Sequence, residues 1–441
     1  MSAGRLAPSE SERPWLPAVV AMFCCGWGGN QFTPLLLMYR RLGGYSEVTV
    51  DAFLAAYVVG LVPGLLVAGS ASDRYGRKPL MLAGTVASVL ASAVLAAGAT
   101  GQVPLYAGRL LTGIAVGIAM AVGTSWVKEL SQAPYSTESD PGAAARRASL
   151  SLTVGFGAGA GVAGALAQWG PWPMVTPYVV HVLVTLPALG WLVKVPETRA
   201  RVAATASLWA DLRVPEAGHP RFTRVVVPLA PWVFGAAGVA YAVMPQLVAD
   251  RVGEWGLAYA TLLTVLTLGT GALVQPLAKR LGARSTSRAI LTAMALMAVG
   301  MGVCAANASL RSPWAGLGGA VLLGAAYGIA VVSGLLEIQR IASPEALAGL
   351  TGVYYALTYC GFLAPTVLAA LAPVLSYTVM LGALSVLALA CLVLIACGLR
   401  SRATALPRPE RSTGGVVAQG GGAGSGAAEE ASAARTGAAH R

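Results

Sequence analysis

One charged residue, Arg109, stands inside a long apolar run, where a charge is costly unless it faces water or a partner. Arg109, Gly113 and Gly117 follow one another at four-residue spacing, so a helix would place them on one face. The guanidinium could contact an anionic or polar substrate, or tune a proton carrier. The glycines could let another helix approach or leave room for a substrate. We therefore predict a cavity at Arg109; the alternative is a side chain that extends to the membrane interface.

Polar and aromatic side chains in other apolar runs are further candidates for this cavity. Tyrosine combines an apolar ring with a polar tip, which suits varied organic molecules. The alternative for each residue is ordinary packing or anchoring at the interface. Besides Arg109 and Gly113, the predicted cavity set consists of Asn30, Gln31, Tyr241, Gln246, Tyr327, Tyr355 and Tyr359.

Catalytic and metal chemistry has little support in the sequence. The six cysteines and three histidines show no metal-ligand spacing, and no Gly-x4-Gly-Lys-Ser/Thr nucleotide signature occurs. No nucleophile–base pair is apparent in the apolar runs. We therefore predict no catalytic residue, no metal, no cofactor and no enzyme. An ion gradient is the expected energy source, with protons as one candidate and uniport as the alternative, because no carboxylate lies deep in an apolar run.

The elements that carry these residues follow from composition. Hydrophobic residues make up 56% of the 441 residues and charged residues only 11%, with a mean hydropathy of +0.68, so lipid must solvate much of the chain. Apolar runs of about 20 residues suit spanning helices and are too uniform for barrel strands. We predict an all-α polytopic membrane protein with twelve transmembrane helices in two pseudo-symmetric six-helix bundles. The predicted spans are 15–38, 50–71, 79–100, 104–127, 147–168, 174–195, 225–249, 257–279, 288–308, 313–336, 347–372 and 374–398.

The spans imply five regions along the chain. The Gly-, Ala- and Ser-rich tail cannot bury a core and is predicted to be disordered. The regions are a cytoplasmic N-terminal tail (1–14), an N-terminal six-helix bundle (15–195), a cytoplasmic central loop (196–224), a C-terminal six-helix bundle (225–398) and a disordered cytoplasmic tail (399–441).

The net charge of +12 could indicate a nucleic-acid partner, but its distribution favours a membrane topology. Lysine and arginine gather in alternate loops, whereas the other loops hold only Arg40, Arg41, Arg251 and Arg311. The positive-inside rule then places both termini in the cytoplasm and predicts no nucleic-acid partner. A weak internal repeat accompanies this pattern, since Glu129 ends the fourth span much as Glu337 ends the tenth.

The segment Gly69-Ser-Ala-Ser-Asp73-Arg74-Tyr-Gly76-Arg77-Lys78 joins the second and third spans. It resembles the loop signature of the major facilitator superfamily, Asp-Arg-x-Gly-Arg-Lys/Arg. Gly76 would allow a tight reversal between helices. Asp73 would lie near a helix N-terminus or a basic partner, where a negative charge is favoured.

Three further segments resemble elements of the same family. They are Arg109-Leu-Leu-Thr-Gly113 in the fourth span, the glycine-rich stretch Gly155 to Gly164 in the fifth, and Pro196-Glu197-Thr198-Arg199 after the sixth. The resemblance implies transport by alternating access and a cytoplasmic gate that holds the outward-open state. The gate residues it implies are Gly69, Asp73, Arg74, Gly76, Arg77, Glu129, Arg146, Glu197 and Arg199, and the repeat adds Glu337 and Arg340.

The function implied by the resemblance is ion-gradient-driven transport of a small organic solute, with export favoured over uptake. A metabolite symporter or uniporter is the alternative, and a membrane-integral sensor or enzyme is a remote one. The Arg-over-Lys bias and high Ala and Gly content are typical of a high-GC, actinobacterial-like genome. We therefore expect a monomeric, multi-pass protein in the lipid bilayer of a bacterial inner membrane.

Overall fold

The structure, a computed structural model, describes residues 13–136, 143–199, 214–343 and 346–400, with the backbone alone at 279, 282–284 and 348. Most of both predicted tails and part of the central loop lie outside these ranges. No strand occurs within them. The helices are α1 (Trp15–Asn30), α2 (Leu36–Arg41), α3 (Glu47–Tyr75), α4 (Arg77–Thr100), α5 (Gln102–Leu130), α6 (Ala143–Trp169), α7 (Thr176–Leu192), α8 (Phe222–Leu247), α9 (Ala249–Ala278), α10 (Ser285–Leu310), α11 (Pro313–Ile341), α12 (Gly349–Leu371) and α13 (Tyr377–Arg400).

Ten of these helices, α3 to α6 and α8 to α13, are long and apolar enough to cross a membrane. The predicted first and sixth spans are also helical but shorter. The first is interrupted after Asn30, where a turn and a short 3-10 helix, Thr33–Leu35, precede α2. Pro34 lies in that 3-10 helix and has no N–H to donate, which favours a break in the α-helix. The all-α membrane fold therefore agrees with the prediction, and the number twelve stays a prediction.

Glycines allow the second and fourth helices of each predicted bundle to pack closely. A Cβ on Gly113 of α5 would lie 2.1 Å from the Tyr57 carbonyl oxygen of α3. In the second bundle, a Cβ on Gly328 of α11 would lie 2.1 Å from the Gly271 carbonyl oxygen of α9. Both positions therefore require glycine for the backbones to approach. The shared crossing is consistent with the predicted internal repeat.

A second crossing recurs in the same way. A Cβ on Gly155 of α6 would lie 2.4 Å from the Phe23 carbonyl oxygen of α1. A Cβ on Gly361 of α12 would lie 2.1 Å from the Pro231 carbonyl oxygen of α8. We call α1 to α7 the N-half and α8 to α13 the C-half.

The two ends of the helix bundle differ in charge. Helix α3 has 29 residues, so its termini are roughly 43 Å apart at 1.5 Å per residue. We call the end that holds Arg74, Arg77 and Lys78 the basic end. The end that holds Arg40, Glu47 and Asp51 is called the opposite end.

Candidate functional site

A cavity lies between the N-half and the C-half, near the middle of the helices. Its empty volume is about 370 Å³ when the space that opens to solvent is included. The N-half contributes residues from α1, the 3-10 helix, α3, α5 and α6, and the C-half contributes residues from α8, α9, α11 and α12. The lining consists of Gly29, Asn30, Thr33, Leu54, Tyr57, Arg109, Phe156, Phe234, Tyr241, Leu268, Tyr327, Tyr359 and Phe362.

Arg109 is the cationic side chain of this lining, and it is fully buried. Its Nε donates to the Phe53 carbonyl at 3.3 Å, and an Nη donates to the Gly29 carbonyl at the same distance. Its guanidinium carbon lies 4.5 Å from the centroid of the Tyr57 ring and 4.8 Å from that of Phe32. The structure therefore places Arg109 at the cavity rather than at the membrane interface.

The contacts of Arg109 with other described residues are carbonyl oxygens and aromatic faces, and none is a carboxylate. A guanidinium has five N–H donors, and the two long bonds leave donors available. A buried cation without an acidic partner is costly in a protein interior. The arrangement therefore favours an anion in the cavity, for which a planar guanidinium offers a two-pronged contact.

Aromatic rings form much of the remaining wall. Phe234 stacks on Tyr359, with ring centroids 4.2 Å apart and planes 24° apart. Phe234 also stacks on Phe362 at 4.8 Å, and Tyr57 contacts Tyr359 edge-on at 6.1 Å. Such walls suit a flat ring, since aromatic pairs prefer offset-stacked or edge-to-face contacts.

Five of the predicted cavity residues line the cavity: Asn30, Arg109, Tyr241, Tyr327 and Tyr359. Asn30 is held there by two hydrogen bonds. Its amide donates to the Phe156 carbonyl at 3.1 Å and its oxygen accepts from the Thr33 hydroxyl at 2.7 Å.

The other four predicted cavity residues lie elsewhere, which corrects the prediction. Gln31 points into the N-half core, where its amide donates to Ser92 at 2.9 Å. Gly113 lies against α3, and Gln246 lies at the opposite end. Tyr355 contacts the ring of Tyr354 and is absent from the lining. Helix rotation decides which of two neighbouring polar residues faces a cavity, and sequence periodicity alone left it open.

Sequence reasoning also missed part of the wall. Phe156, Phe234 and Phe362 line the cavity, but a phenylalanine in an apolar run has no polar group that distinguishes it from a core residue. Tyr57 also lines the cavity, and it could have been predicted because it is a tyrosine within the predicted second span, 50–71. Its orientation towards Arg109 depends on the α3–α5 crossing.

The basic end of the N-half carries a cluster of charges centred on Arg77, which is almost fully buried. Its guanidinium lies 2.8 Å from Asp73 and 3.1 Å from Glu129. Asp73 also lies 3.4 Å from the guanidinium of Arg199. The sequence signature thus brings together the ends of α3, α4 and α5 with the start of the central loop.

Glu197 completes this cluster through the backbone. Its carboxylate accepts the N–H groups of Arg77 and Lys78, each at 3.0 Å, at the first turn of α4. A negative charge at this position satisfies free N–H donors and favours the helix dipole. Gly76 has φ +103°, and a Cβ there would lie 2.4 Å from the Glu197 carboxylate. Both facts explain why glycine joins α3 to α4.

The remaining predicted gate residues are dispersed. Gly69 lies on α3 in open surroundings, Arg74 is half-buried on the same helix, and Arg146 is exposed near the start of α6. Glu337 does not join the N-half cluster. It is fully buried and forms an ion pair with Arg221, whereas Arg340 is exposed one turn further along α11. The charges of Glu337 and Arg221 thus pair within the C-half, and their part in a gate stays a prediction.

The opposite end joins the two halves directly. Arg40 donates to the Gln246 side chain at 2.6 Å, and Gln246 donates to Asp51 at 3.3 Å. Arg41 donates to the carbonyls of Gly253 and Ala249 at 2.9 Å and 3.1 Å. These bonds connect α2 and α3 with α8 and α9. This end of the cavity is consequently closed.

Comparisons with known proteins agree with this architecture. The sequence profile of the Major Facilitator Superfamily matches residues 18–249, which is more than half of the chain. A mutant of the nucleoside transporter NupG has a similar fold, with a TM-score of 0.69 over 88% of this chain and 100% of that chain. Its sequence identity is 12%, so the likeness shows the fold alone.

Two curated relatives match shorter segments. The "Gallate transporter" of Pseudomonas putida is 32% identical over 169 residues, which are 36% of this chain and 34% of the relative. The "Multidrug resistance protein MdtL" of Klebsiella pneumoniae (strain 342) is 33% identical over 86 residues, 20% of this chain and 22% of the relative. The chain thus aligns with about a third or less of the length of these curated relatives. Family and relatives alike indicate a transporter rather than an enzyme.

Proposed function

Because this chain belongs to the Major Facilitator Superfamily and is a membrane transporter, we propose that it carries a small aromatic carboxylate across the membrane. The observation that carries the proposal is Arg109, a fully buried cation in the cavity with no carboxylate among its described contacts. A substrate carboxylate would provide the missing anion.

The cavity walls support the aromatic part of the proposal. The stacked rings of Phe234, Tyr359 and Phe362 offer flat apolar surfaces, and Asn30 and Tyr241 add polar groups that could contact ring substituents. The match to a gallate transporter supports the same class, because gallate is an aromatic carboxylate.

Export of uncharged aromatic compounds is the second candidate function. The mostly aromatic and apolar lining favours it, as does the match to MdtL, a multidrug resistance protein. In that case Arg109 would orient polar substituents or act on a coupled proton, and substrate charge would matter little.

Thermal stabilisation of the purified protein separates the two candidates. We expect gallate and benzoate to raise the melting temperature, whereas benzamide, which is neutral and similar in shape, has little effect. Arg109→Gln should abolish the response to both acids, and Arg109→Lys should retain part of it, because lysine keeps the charge but not the planar donors. Tyr355→Phe, outside the lining, is the control. Equal stabilisation by benzamide and benzoate would favour the second candidate.

We further propose that the basic end faces the cytoplasm, in a bacterial inner membrane. The concentration of Lys and Arg in the loops of that end supports this orientation. A membrane-impermeant thiol reagent should label Leu42→Cys, at an exposed position of the opposite end, in intact cells. It should leave Tyr75→Cys, exposed at the basic end, unlabelled; the reverse pattern would invert the topology.

A further inference from the structure

The opposite end contains a buried carboxyl group at the contact between the halves. We call the latch the set Arg40, Glu47 and Asp51 of the N-half with Gln246, Thr366 and Tyr377 of the C-half. Thr366 donates its hydroxyl to the Asp51 carbonyl at 2.8 Å, and Tyr377 donates its hydroxyl to the Glu47 carboxylate. Three C-half helices, α8, α12 and α13, thereby cover the first turn of α3.

The Asp51 side chain is buried with few hydrogen-bond donors around it. The residue is 1% exposed. One carboxyl oxygen accepts from the Gln246 amide at 3.3 Å, and the other is buried without a hydrogen-bond partner among the described residues. An ionised carboxylate in such surroundings is costly, whereas a protonated one loses much less on leaving water.

The neighbouring charges do not remove this cost. Arg40 is the nearest cation, but it donates to the Gln246 oxygen at 2.6 Å and lies 3.6 Å from Glu47. Glu47 stands one turn before Asp51 on α3, so its charge opposes ionisation of Asp51. The Tyr377 hydroxyl donates to Glu47 rather than to Asp51. The latch therefore pairs Glu47 with Arg40 and leaves Asp51 without a cation.

We infer that Asp51 is a proton-binding site, and that its protonation holds the opposite end closed. When the halves separate at this end, Gln246 and Thr366 move away with the C-half and water reaches the carboxylate, which releases its proton. When the end closes, the carboxylate takes a proton from that water and becomes a neutral carboxylic acid. The hydrogen bonds from Gln246 and Thr366 break and re-form with this movement, and no other covalent bond changes. The inference rests on the proposed transport function, carried out by the alternating access that the family resemblance implies.

This linkage predicts a pH dependence of the conformation. A site that holds a proton in the closed form and not in the open form changes their ratio by up to about tenfold per pH unit. The sign follows from the site: acid favours closure of the opposite end, and alkali favours its opening.

The test measures the distance between the halves at the opposite end of the full chain in lipid nanodiscs. Spin labels are placed through Leu42→Cys and Val374→Cys, at exposed positions on either side of the latch. Cys360, Cys391 and Cys397 are replaced by alanine. As the pH rises by roughly three units, the population at long distance should grow in the otherwise native protein. In Asp51→Asn, which mimics the protonated group, the short distance should persist at every pH.

Asp250→Asn is the matched control. Asp250 lies at the same end but is exposed and pairs with Arg311 within the C-half at 3.2 Å, so its variant should follow the native pH response. A native protein whose distances ignore pH would overturn the inference, even if Asp51→Asn failed to fold. An Asp51→Asn variant that keeps the native pH response would do the same.

Substrate binding is measured in parallel, so the two proposals can fail separately. If benzoate stabilises the protein but the distances ignore pH, the proton site is wrong and the proposed substrate class stands. If benzoate has no effect while Asp51→Asn removes a pH response, the substrate class is wrong and the proton site stands.

Discussion

The two ends of the bundle use similar side chains for different connections. At the opposite end, Arg40 and Arg41 bind groups of the C-half. At the basic end, Arg77 and Arg221 find their acidic partners, Glu129 and Glu337, within their own halves. In the contacts named here, charged groups thus join the halves at one end and connect residues of the same half at the other.

Contacts between the halves can therefore control the conformation, whereas contacts within a half make that half rigid. In alternating access the halves move relative to each other, so contacts between halves must break and contacts within a half can persist. The structure holds the Asp73–Arg77–Glu129 cluster intact while the opposite end is closed. The cluster therefore does not by itself require the opposite end to be open, unlike the gate that the family resemblance implies.

The largest effect on stability is expected from Glu337→Gln. Glu337 is fully buried and pairs with Arg221, so removing its charge breaks a buried ion pair. We expect the free energy of unfolding to fall by about 3 kcal/mol, the lower end for a broken buried pair. Melting of the purified protein measures it. The control is Arg340→Gln on the exposed face of α11, which should change stability by less than about 0.5 kcal/mol. Similar losses in both variants would contradict an internal role for the pair.

At the opposite end, we expect a mutation to change the distance between the halves more than the melting temperature. Gln246→Ala removes the bonds to Arg40 and Asp51 that cross between the halves. A hydrogen bond to a charged group contributes about 1.5–3 kcal/mol, so the open population at this end should rise by about tenfold or more. The Leu42–Val374 label distance reports it, and the melting temperature should change less than in Glu337→Gln. If Gln246→Ala lowers stability without changing the distance, the latch does not control access.

Much of the fold could be predicted from the sequence, because uninterrupted apolar runs require helices in lipid. The break after Asn30 was not predicted, since it depends on a local turn at Pro34 inside an apolar run. At the site, Arg109 and three of the predicted tyrosines line the cavity, and the sequence singled them out because a charge or a polar tip in an apolar helix needs a special environment.

The rest of the site depends on contacts between distant segments. Asp51 stands at the start of α3 and in the sequence resembles a solvated residue at a span end. Its burial results from Gln246 and Thr366, which are far away in the chain. Likewise, Phe234 and Phe362 are indistinguishable from core residues until the halves are assembled. No periodicity within one helix contains this information.

The smallest effect on stability is expected from Asp73→Asn at the basic end. Asp73 is about half exposed, at 49%, and its pair with Arg77 is of the surface kind, worth about 0–1 kcal/mol. Arg77 keeps Glu129 in this variant, so the N-half should fold and melt almost as the native protein does. Asp73 also contacts Arg199, at the start of the loop that leads to the C-half. We therefore expect gallate flux into liposomes to fall while the fold persists. The control is Lys128→Gln, at an exposed position near the basic end of α5. Native flux in Asp73→Asn would show that the cluster only stabilises the N-half. The two ends would then differ fully, because only the opposite end would control access.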